Sequence, residues 1–585
     1  MSIFAGVFSR RSDQAIPNNL IDELRKAVSR FPDEEIRSES IDERIFIAKV
    51  DIGALTEPGE LFNEYLAAVV AGDPLLQEEP DKMPVPRAES LGLIANDLAT
   101  GQIDSLCLCR GTFCAAVYDK PRKSLHLIAD KLGVRPIYYW VLPDYIVFAT
   151  ALRILEALPF GNKTLKLQGV AELACFGYPL SDRTPYENIF TLHAGEIVSI
   201  DTDSLNRKRY WHWDELTSKE PSDITPPQRL YRLFVDAVKL RLRGEKFAAA
   251  FLSGGLDSRA IVATLKNLGA EVFTANFGPI AGSQEQVFGQ LAADRLGVHY
   301  RQLPYRPIVE GDAYSKDSVI DWFNSIERQD HCSQRPKLIW SGDGGSVGLG
   351  HVYLNPDIVA ASRSGNLQEA TEKFMAYNRW GLSAKLLKRQ IAASLDDMVR
   401  EGIRTELESV HPADHGRIFY LFLMLNDQRR HLFNYFENLD LTRVEFELPF
   451  FDADFIAGVM QESIDPFLRH VFYLDWLKCF PPGVLETPWQ AYPNHVPCPL
   501  PQPDGLKYQW DKLQPKEVIS ERNYAALIDA KNLLRESGFS RKFLNSWHMM
   551  LLIFLLRWGK ADRTYLLRAP KIIFKYWSRT AKADH

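Results

Sequence analysis

Over the first two hundred residues, short apolar stretches alternate with clusters of turn residues. The segments "RIFIAKVDIG", "TFCAAVYD", "KSLHLIAD", "PIYYWVL", "YIVFAT" and "GEIVSID" each have the length and the β-branched or aromatic content of a strand. Strands this closely spaced predict a β-rich first domain. Between 215 and 227 the pattern breaks, because "ELTSKEPSDITPP" is polar, rich in Ser, Pro and Asp, and without an apolar period, as a linker is. Beyond it, "KFAAAF", "RAIVATLKNLG", "EVFTANF", "QEQVFGQLAADRLG" and "HYRQLP" read strand, helix, strand, helix, strand, the order of a parallel α/β sheet. From about 365 onward apolar positions recur mainly at helical spacing. The expected division is a domain over 1–215 and a second over 226–585, with no internal repeat.

Length supports two domains, since 585 residues exceed what one core organises. With 46% hydrophobic residues, 25% charged and a net charge of -6, the chain reads as a globular protein and not as a nucleic-acid binder. The seven cysteines (Cys107, Cys109, Cys114, Cys175, Cys332, Cys479, Cys498) are scattered, and "CLCRGTFC" has no zinc-site partner cluster, so reduced, mostly buried thiols are expected. The start, "MSIFAGVFSRRSDQ", has no long apolar segment, and "MMLLIFLL" at 549–556 is far shorter than the roughly 20 residues of a membrane span. These features predict a cytoplasmic protein without a transmembrane segment.

The chemistry concentrates in "AAAFLSGGLDSRAIVATLKNLG" at 248–269. A buried strand runs into a turn of Ser253, Gly254, Gly255, Leu256, Asp257 and Ser258, and Ala260, Ile261, Leu265 and Leu268 follow at helical spacing. Glycines at a strand-to-helix turn leave backbone N–H groups uncovered at the positive end of a helix, a site for phosphate. The hydroxyls of Ser253 and Ser258 add donors. Asp257 is an anion in a phosphate nest, which makes sense with a magnesium ion between them.

That string resembles the pyrophosphate-binding loop of the asparagine synthetase family of ATP pyrophosphatases. "FTANF" with the following "LGVHYRQL" looks like the family's second strand, and "LIWSGDGGSVGLGH" at 338–351 looks like its second glycine loop. "VEFELPFFDADF" at 444–455 resembles the helix and turn written E-x-R-x-P-F-L-D in the family. In the first domain, "RGTFCAAVYDKPRKSLHLIADKLGVRPIYYW" and "FATALRIL" are similar to the late part of the family's glutaminase domain. Together these pieces reach across most of residues 1–500. The resemblance implies an Ntn-type, class II amidotransferase-like α+β sandwich. An ATP-pyrophosphatase parallel-sheet domain, of the adenine nucleotide alpha hydrolase type with a helical C-terminal part, follows it. It also implies ATP and Mg2+ as cofactors and a carboxylate activated as an acyl-adenylate, which an amine or ammonia then attacks. Carried over, Leu252 and Ala275 line the nucleotide, Ser253 to Ser258 hold the pyrophosphate with Asp257 on the metal, and Ser341 and Gly342 touch the ribose or phosphate side.

The departures from the family are specific. Its glutaminase uses an N-terminal cysteine after loss of Met1, an oxyanion-hole Asn in N-G-E, and an aspartate on glutamine's amine. Here the positions read Ser2 and Ala71, the latter in "AGDP", and no counterpart of the aspartate is found. A hydroxyl is far less ionised than a thiol and the oxyanion donor is missing, so a retained scaffold without glutaminase activity is expected. In the second glycine loop Ser346 stands where the family has a metal-binding aspartate, while Asp343 keeps an acid; Asp257 with Asp343 suffices for one magnesium. Glu445, Pro449 and Asp452 are kept, but Glu447 replaces the Arg. The segment "TPWQAYPNHVPCP" at 487–499 lacks the lysine of related ligases, which leaves Tyr492 and His495 as substitutes and Lys507 as the next candidate.

The catalytic candidates are therefore Asp343, Glu445, Tyr492 and His495. Three readings remain open at this point. One is an asparagine synthetase-like amide-forming ligase acting on a small-molecule or peptide carboxylate. Another is a cyclase like the lasso-peptide or β-lactam synthetases, and the third is a non-catalytic nucleotide-binding protein. A homodimer is left open. For the C-terminal apolar helix and basic tail, core packing with a solvated basic face is expected, with an acidic partner or an anionic membrane as the alternative.

Overall fold

The computed structural model describes residues 2–11, 14–31, 34–41, 44–55, 57–79, 82–217, 223–277, 282–303, 322, 337–508, 516–558 and 561–581. Two six-stranded antiparallel sheets make up the first part. One has the order Ile189–Thr191, Tyr138–Val141, Tyr145–Ala149, Ser2–Ser9, Ile45–Asp51, Arg37–Ile41. The other has the order Leu205–Arg209, Glu196–Ile200, Ser124–Ala129, Phe113–Asp119, Leu66–Gly72, Glu60–Phe62.

The inner strands are covered on both faces, which explains why they read as continuous apolar runs and not as alternations. In Phe113–Asp119, Cys114, Ala116 and Tyr118 point into the core between the sheets, with Phe4, Phe8, Leu127 and Phe148. Phe113, Ala115 and Val117 point the other way, onto Leu91 and Ile94 of helix Arg87–Thr100. Across the molecule, Ala5 and Val7 pack with Leu20 and Leu24 of helix Asn18–Val28. The result is the helix–sheet–sheet–helix sandwich expected of an Ntn-type domain.

Thr225 and Gln228 form a capping box that starts helix Pro226–Leu242 directly after the polar segment. The second part is built on a parallel sheet in the order His299–Gln302, Glu271–Asn276, Phe247–Phe251, Leu338–Trp340, Glu445–Glu447. The segment 444–455 differs from the expected helix and turn. It opens as the edge strand Glu445–Glu447, makes a 3-10 turn at Pro449–Phe451, and becomes helical only from Ala453 to Met460. Phe446, stacked 4.0 Å from Tyr435, packs this strand on the sheet's face, and Asp452 caps the helix by accepting from the N–H groups of Asp454 and Phe455. The C-terminal region is helical, and its last helix, Arg568–Ala581, returns to the sandwich through Tyr576 on Tyr186 (5.8 Å) and Arg579 on Glu156 (2.6 Å).

Candidate functional site: two glycine loops at the carboxyl ends of the parallel strands

Strand Phe247–Phe251 is the middle strand of the sheet, so its carboxyl end opens between neighbours on both sides. Leu252 donates its N–H to Ala275 O (2.9 Å), and Asn276 Nδ2 donates to Leu252 O (3.0 Å), which ties the ends of two adjacent strands together. The turn is then shaped from within. Ser253 N donates to Ser258 Oγ (3.0 Å), the two serine hydroxyls lie 3.0 Å apart, and Gly255 N donates to Ser253 Oγ (3.1 Å). Helix Asp257–Asn267 starts at this point, aiming its amino end at the turn.

The second loop packs directly on the first, and only glycine permits the approach. A Cβ on Gly342 would lie 2.8 Å from Ser258 N, and one on Gly345 would lie 2.6 Å from Asp257 Cγ. Between the loops sits the Asp257 carboxylate. Its Oδ2 accepts from Ser346 Oγ (2.5 Å) and its Oδ1 from Tyr473 OH (2.5 Å), while Tyr492 OH donates to Ser346 Oγ (3.2 Å). Burial pushes the Asp257 carboxyl up to about 6, against the opposing pull of the Ser346 and Tyr473 hydroxyls. Asp343 stands differently. It accepts from Ser341 Oγ and lies 3.0 Å from His431 Nε2; burial raises it, but His431 brings it below the ordinary carboxylate range. The Asp343 hydrogen bond in turn raises His431.

The segment 487–499 is pinned beside these loops by Arg259. This buried guanidinium donates to the carbonyls of Val484 and Thr487 (3.0 Å each) and of Pro488 (2.9 Å), and Gln490 N donates to Gly254 O (3.0 Å). That anchoring delivers Tyr492 to Ser346. His495 lies farther out, its Nδ1 3.0 Å from Pro493 O and its ring 4.7 Å from His470. Burial, with His495 adding to it, pulls His470 down to about 3, so that imidazole is neutral. Lys507 meets the site through its backbone, since Gln284 N donates to Lys507 O (2.9 Å) and Gln284 O is what a Cβ on Gly254 would strike at 2.7 Å.

The structure thus gathers Ser253, Gly254, Gly255, Asp257, Ser258, Ser341, Gly342, Asp343, Ser346 and Tyr492 around one junction, with Leu252, Leu256 and Ala275 buried in its walls. It does not bring Glu445 there. Glu445 pairs in register with Leu338, the first residue of its neighbouring strand, and its carboxylate binds Arg135 of the sandwich at 2.6 Å. Tyr473 and His431 come from helices with no motif of their own, so the sequence held no signal for them, whereas Arg259 directly follows the Ser253–Ser258 string and Gln490 lies inside the segment 487–499, where each could have been found.

On the sandwich side, Ser2 opens its strand opposite Asp51, and its side chain lies outside the described residues. Ala71, which the resemblance sets at the oxyanion position, lies opposite Cys114, is 3% exposed and carries only a methyl. Between the two parts, a small cavity is lined by Gly72, Asp73, Arg135, Arg241, Glu445 and Glu447. Ion pairs surround it: Asp452 holds both Arg110 (3.0 Å) and Arg241 (2.7 Å), and Asp73 holds Arg243 (2.5 Å). Burial raises Asp452, but the two guanidinium groups hold it below the usual range. The six cysteines among the described residues are unbridged, and Cys332 lies outside them. Among the described residues, no group of three or more His, Cys, Asp or Glu forms a metal cluster, and no helix is long and apolar enough to cross a membrane.

Comparison with known proteins finds two family models along the chain. Residues 94–211 match the glutamine amidotransferase domain, and residues 229–308 match asparagine synthase. A putative asparagine synthetase (glutamine-hydrolyzing) 2 of Methanocaldococcus jannaschii is 30% identical over 256 residues, 41% of this chain and 49% of its own. Asparagine synthetase (glutamine-hydrolyzing) 3 of Bacillus subtilis is 31% identical over 166 residues, 28% of this chain and 26% of its own. Amidase chyE of Penicillium rubens is 26% identical over 209 residues, 32% and 30% of the two chains. The alignments span about half of these relatives' length or less. A solved glutamine phosphoribosylpyrophosphate amidotransferase from B. subtilis aligns over 60% of this chain and 77% of its own, at 10% identity and a TM-score of 0.23. That score bears no weight, and the fold rests on the sheet topology. With an amidotransferase match on the sandwich and an asparagine synthase match on the glycine-loop region, joined in that order, the chain is similar to the asparagine synthetases in both of its parts.

Proposed function

We propose that the protein is an ATP-dependent amide-forming ligase. A carboxylate, of a small molecule or a peptide, attacks the α-phosphorus of ATP and displaces pyrophosphate. An amine or ammonia from outside the chain then attacks the acyl carbon, AMP leaves, and the amine's proton passes to solvent or a nearby base. The observation that carries this reading is the close packing of the two glycine loops around Asp257, which leaves a helix amino end and two serine hydroxyls facing one junction. Ser253 to Ser258 would hold the departing pyrophosphate, with Leu252 and Ala275 beside the nucleotide and Ser341 and Gly342 opposite.

The residues fit a magnesium ion held mainly by phosphate and water. Asp257 is a buried carboxylate whose raised pKa marks a charge short of cationic compensation, and Ser346 adds a neutral oxygen beside it. The ion would screen the phosphate charge. Asp343, committed to His431, serves as a positioning group, and Tyr492 is the donor placed to meet charge that develops near Ser346. His495 and the side chain of Lys507 stand next in line. Glu445 takes no part in the chemistry and acts in the contact with the sandwich through Arg135.

The amine is supplied from solution, because Ala71 offers no oxyanion donor and the cavity between the two parts is ringed by ion pairs. The test is ATP–pyrophosphate exchange across a panel of amino acids, sugar acids and peptides. Exchange stimulated by one acid supports ligation. ATP binding without exchange on any acid would make the protein a nucleotide-binding module.

A further inference from the structure

Helix Ser546–Trp558 has two apolar faces where a globular protein needs one. Met549, Leu552 and Leu556 are buried against the rest of the C-terminal helices. On the opposite side Trp547, Met550, Leu551, Phe554 and Trp558 are 68%, 56%, 48%, 59% and 69% exposed. Their spacing of i, i+3, i+4, i+7 and i+11 places all five on one stripe along the helix. Among the described residues, eight of the thirteen strongly exposed large apolar side chains lie between Tyr524 and Tyr565, so the stripe is a concentration and not the usual scatter.

Charge gathers in the same stretch of the chain. Residues 516–585 contain 14 Lys and Arg against 6 Asp and Glu, while the remaining chain contains 55 against 69. A strongly cationic region thus sits on an otherwise anionic protein. Exposed Arg541 and Lys542 precede the Trp547 end of the stripe, and Arg557 flanks its other end, 5.4 Å over the Trp558 ring. Two acids of the region, Asp529 and Asp562, are already engaged by Lys571 and Arg522. Helix Arg568–Ala581 behaves otherwise, packing its apolar side on the sandwich as core packing predicts.

We propose that the exposed face of helix Ser546–Trp558 docks the protein peripherally on an anionic lipid surface. The apolar stripe enters the headgroup boundary, Trp547 and Trp558 sit at that boundary, and the flanking cations meet lipid phosphates and carboxylates. A single exposed helix face needs no shaped partner, which suits a fluid surface. A two-fold contact with a second copy would press two cationic regions together. No helix among the described residues is long and apolar enough to cross a membrane, so the contact is superficial. This inference is independent of the ligase reading.

The test is co-sedimentation of the full chain with phosphatidylcholine vesicles, with or without about 30% phosphatidylserine. The expected result is binding to the anionic vesicles only, released by about 0.5 M salt. Phe554→Glu and Trp558→Ala, both at exposed positions, should each weaken binding by about 10-fold or more without shifting the thermal midpoint. Arg541→Glu should weaken it mainly at low salt. Absence of binding to anionic vesicles would overturn the proposal, as would binding that both stripe variants retain. A concentration-dependent dimer that Phe554→Glu dissociates, or binding to a poly-glutamate peptide without binding to vesicles, would assign the face to protein contacts and overturn it as well.

Discussion

The protein carries two places where chemistry is expected, and their fates differ. In the sandwich, Ala71 sits in a strand whose register, neighbours and burial are intact, yet it offers no polar atom to a reacting group. At the parallel sheet, Ser346 stands where the resemblance leads one to expect an acid, but it is wired in: Ser346 donates to Asp257 and accepts from Tyr492. The first place is an apolar wall, whereas the second is a hydrogen-bonded network around a buried carboxylate. Under the proposed function, the sandwich serves the molecule through its contacts and the loops through their chemistry.

The largest expected effect tests the contact role. Asp452→Ala leaves Arg110 and Arg241 buried without their shared partner, so stability in urea denaturation should fall by about 3–5 kcal/mol. A loss below about 1 kcal/mol would remove the sandwich contact from the account of stability. Next, Asp257→Asn should lower ATP–pyrophosphate exchange by about 10²–10³-fold while circular dichroism stays unchanged. Tyr492→Phe, which deletes the donor to Ser346, should reduce turnover by about 10²-fold with little change in the ATP dependence. Equal loss in binding and turnover would show that Tyr492 shapes the nucleotide site and does not act in the transition state.

A pH series sharpens the comparison further. Because burial raises Asp257 to about 6, the folded chain binds that proton more tightly than the unfolded chain does. Its contribution to apo stability is therefore fully present at low pH and is lost as pH rises through about 6. Magnesium-dependent ATP affinity follows the opposite course, falling by up to about 10-fold per unit below pH 6, since the ion needs the carboxylate. Calorimetry on Asp257→Asn should show neither trend beyond ATP's own titration. The smallest effect is expected at the sandwich, where Ser2→Ala should change ammonia-dependent amide formation by less than about 2-fold. Glutamate release from glutamine that disappears in this variant would break the comparison.

Which parts of this were readable beforehand follows from how local each feature is. "KFAAAF" and "EVFTANF" are apolar runs of strand length, and they form Phe247–Phe251 and Glu271–Asn276 as expected. "VEFELPFFDADF" was misread because a three-residue edge strand is decided by what lies beside it, here Leu338–Trp340 and the Tyr435 ring. The string at 253–258 identified the first loop, since glycine at a strand-to-helix turn has a backbone reason that needs no partner. Tyr473 meets Asp257 from 216 positions along the chain, and His431 meets Asp343 from 88, so neither contact has a local signature. The apolar helix Ser546–Trp558 shows the same limit, because an apolar composition does not tell which side the fold covers.

By itself the sequence determined the class of each region, the strands and helices with strong local patterns, and the phosphate-type turn, because propensity, period and glycine geometry act over a few residues. The tertiary structure decided the rest: that Glu445 faces Arg135 instead of the loops, that Asp257 is buried enough to titrate near 6, and that Arg259 carries Tyr492 to Ser346. It also decided that one side of helix Ser546–Trp558 stays in solvent. Burial and long-range pairing depend on which surfaces meet, and that is a property of the packed chain as a whole.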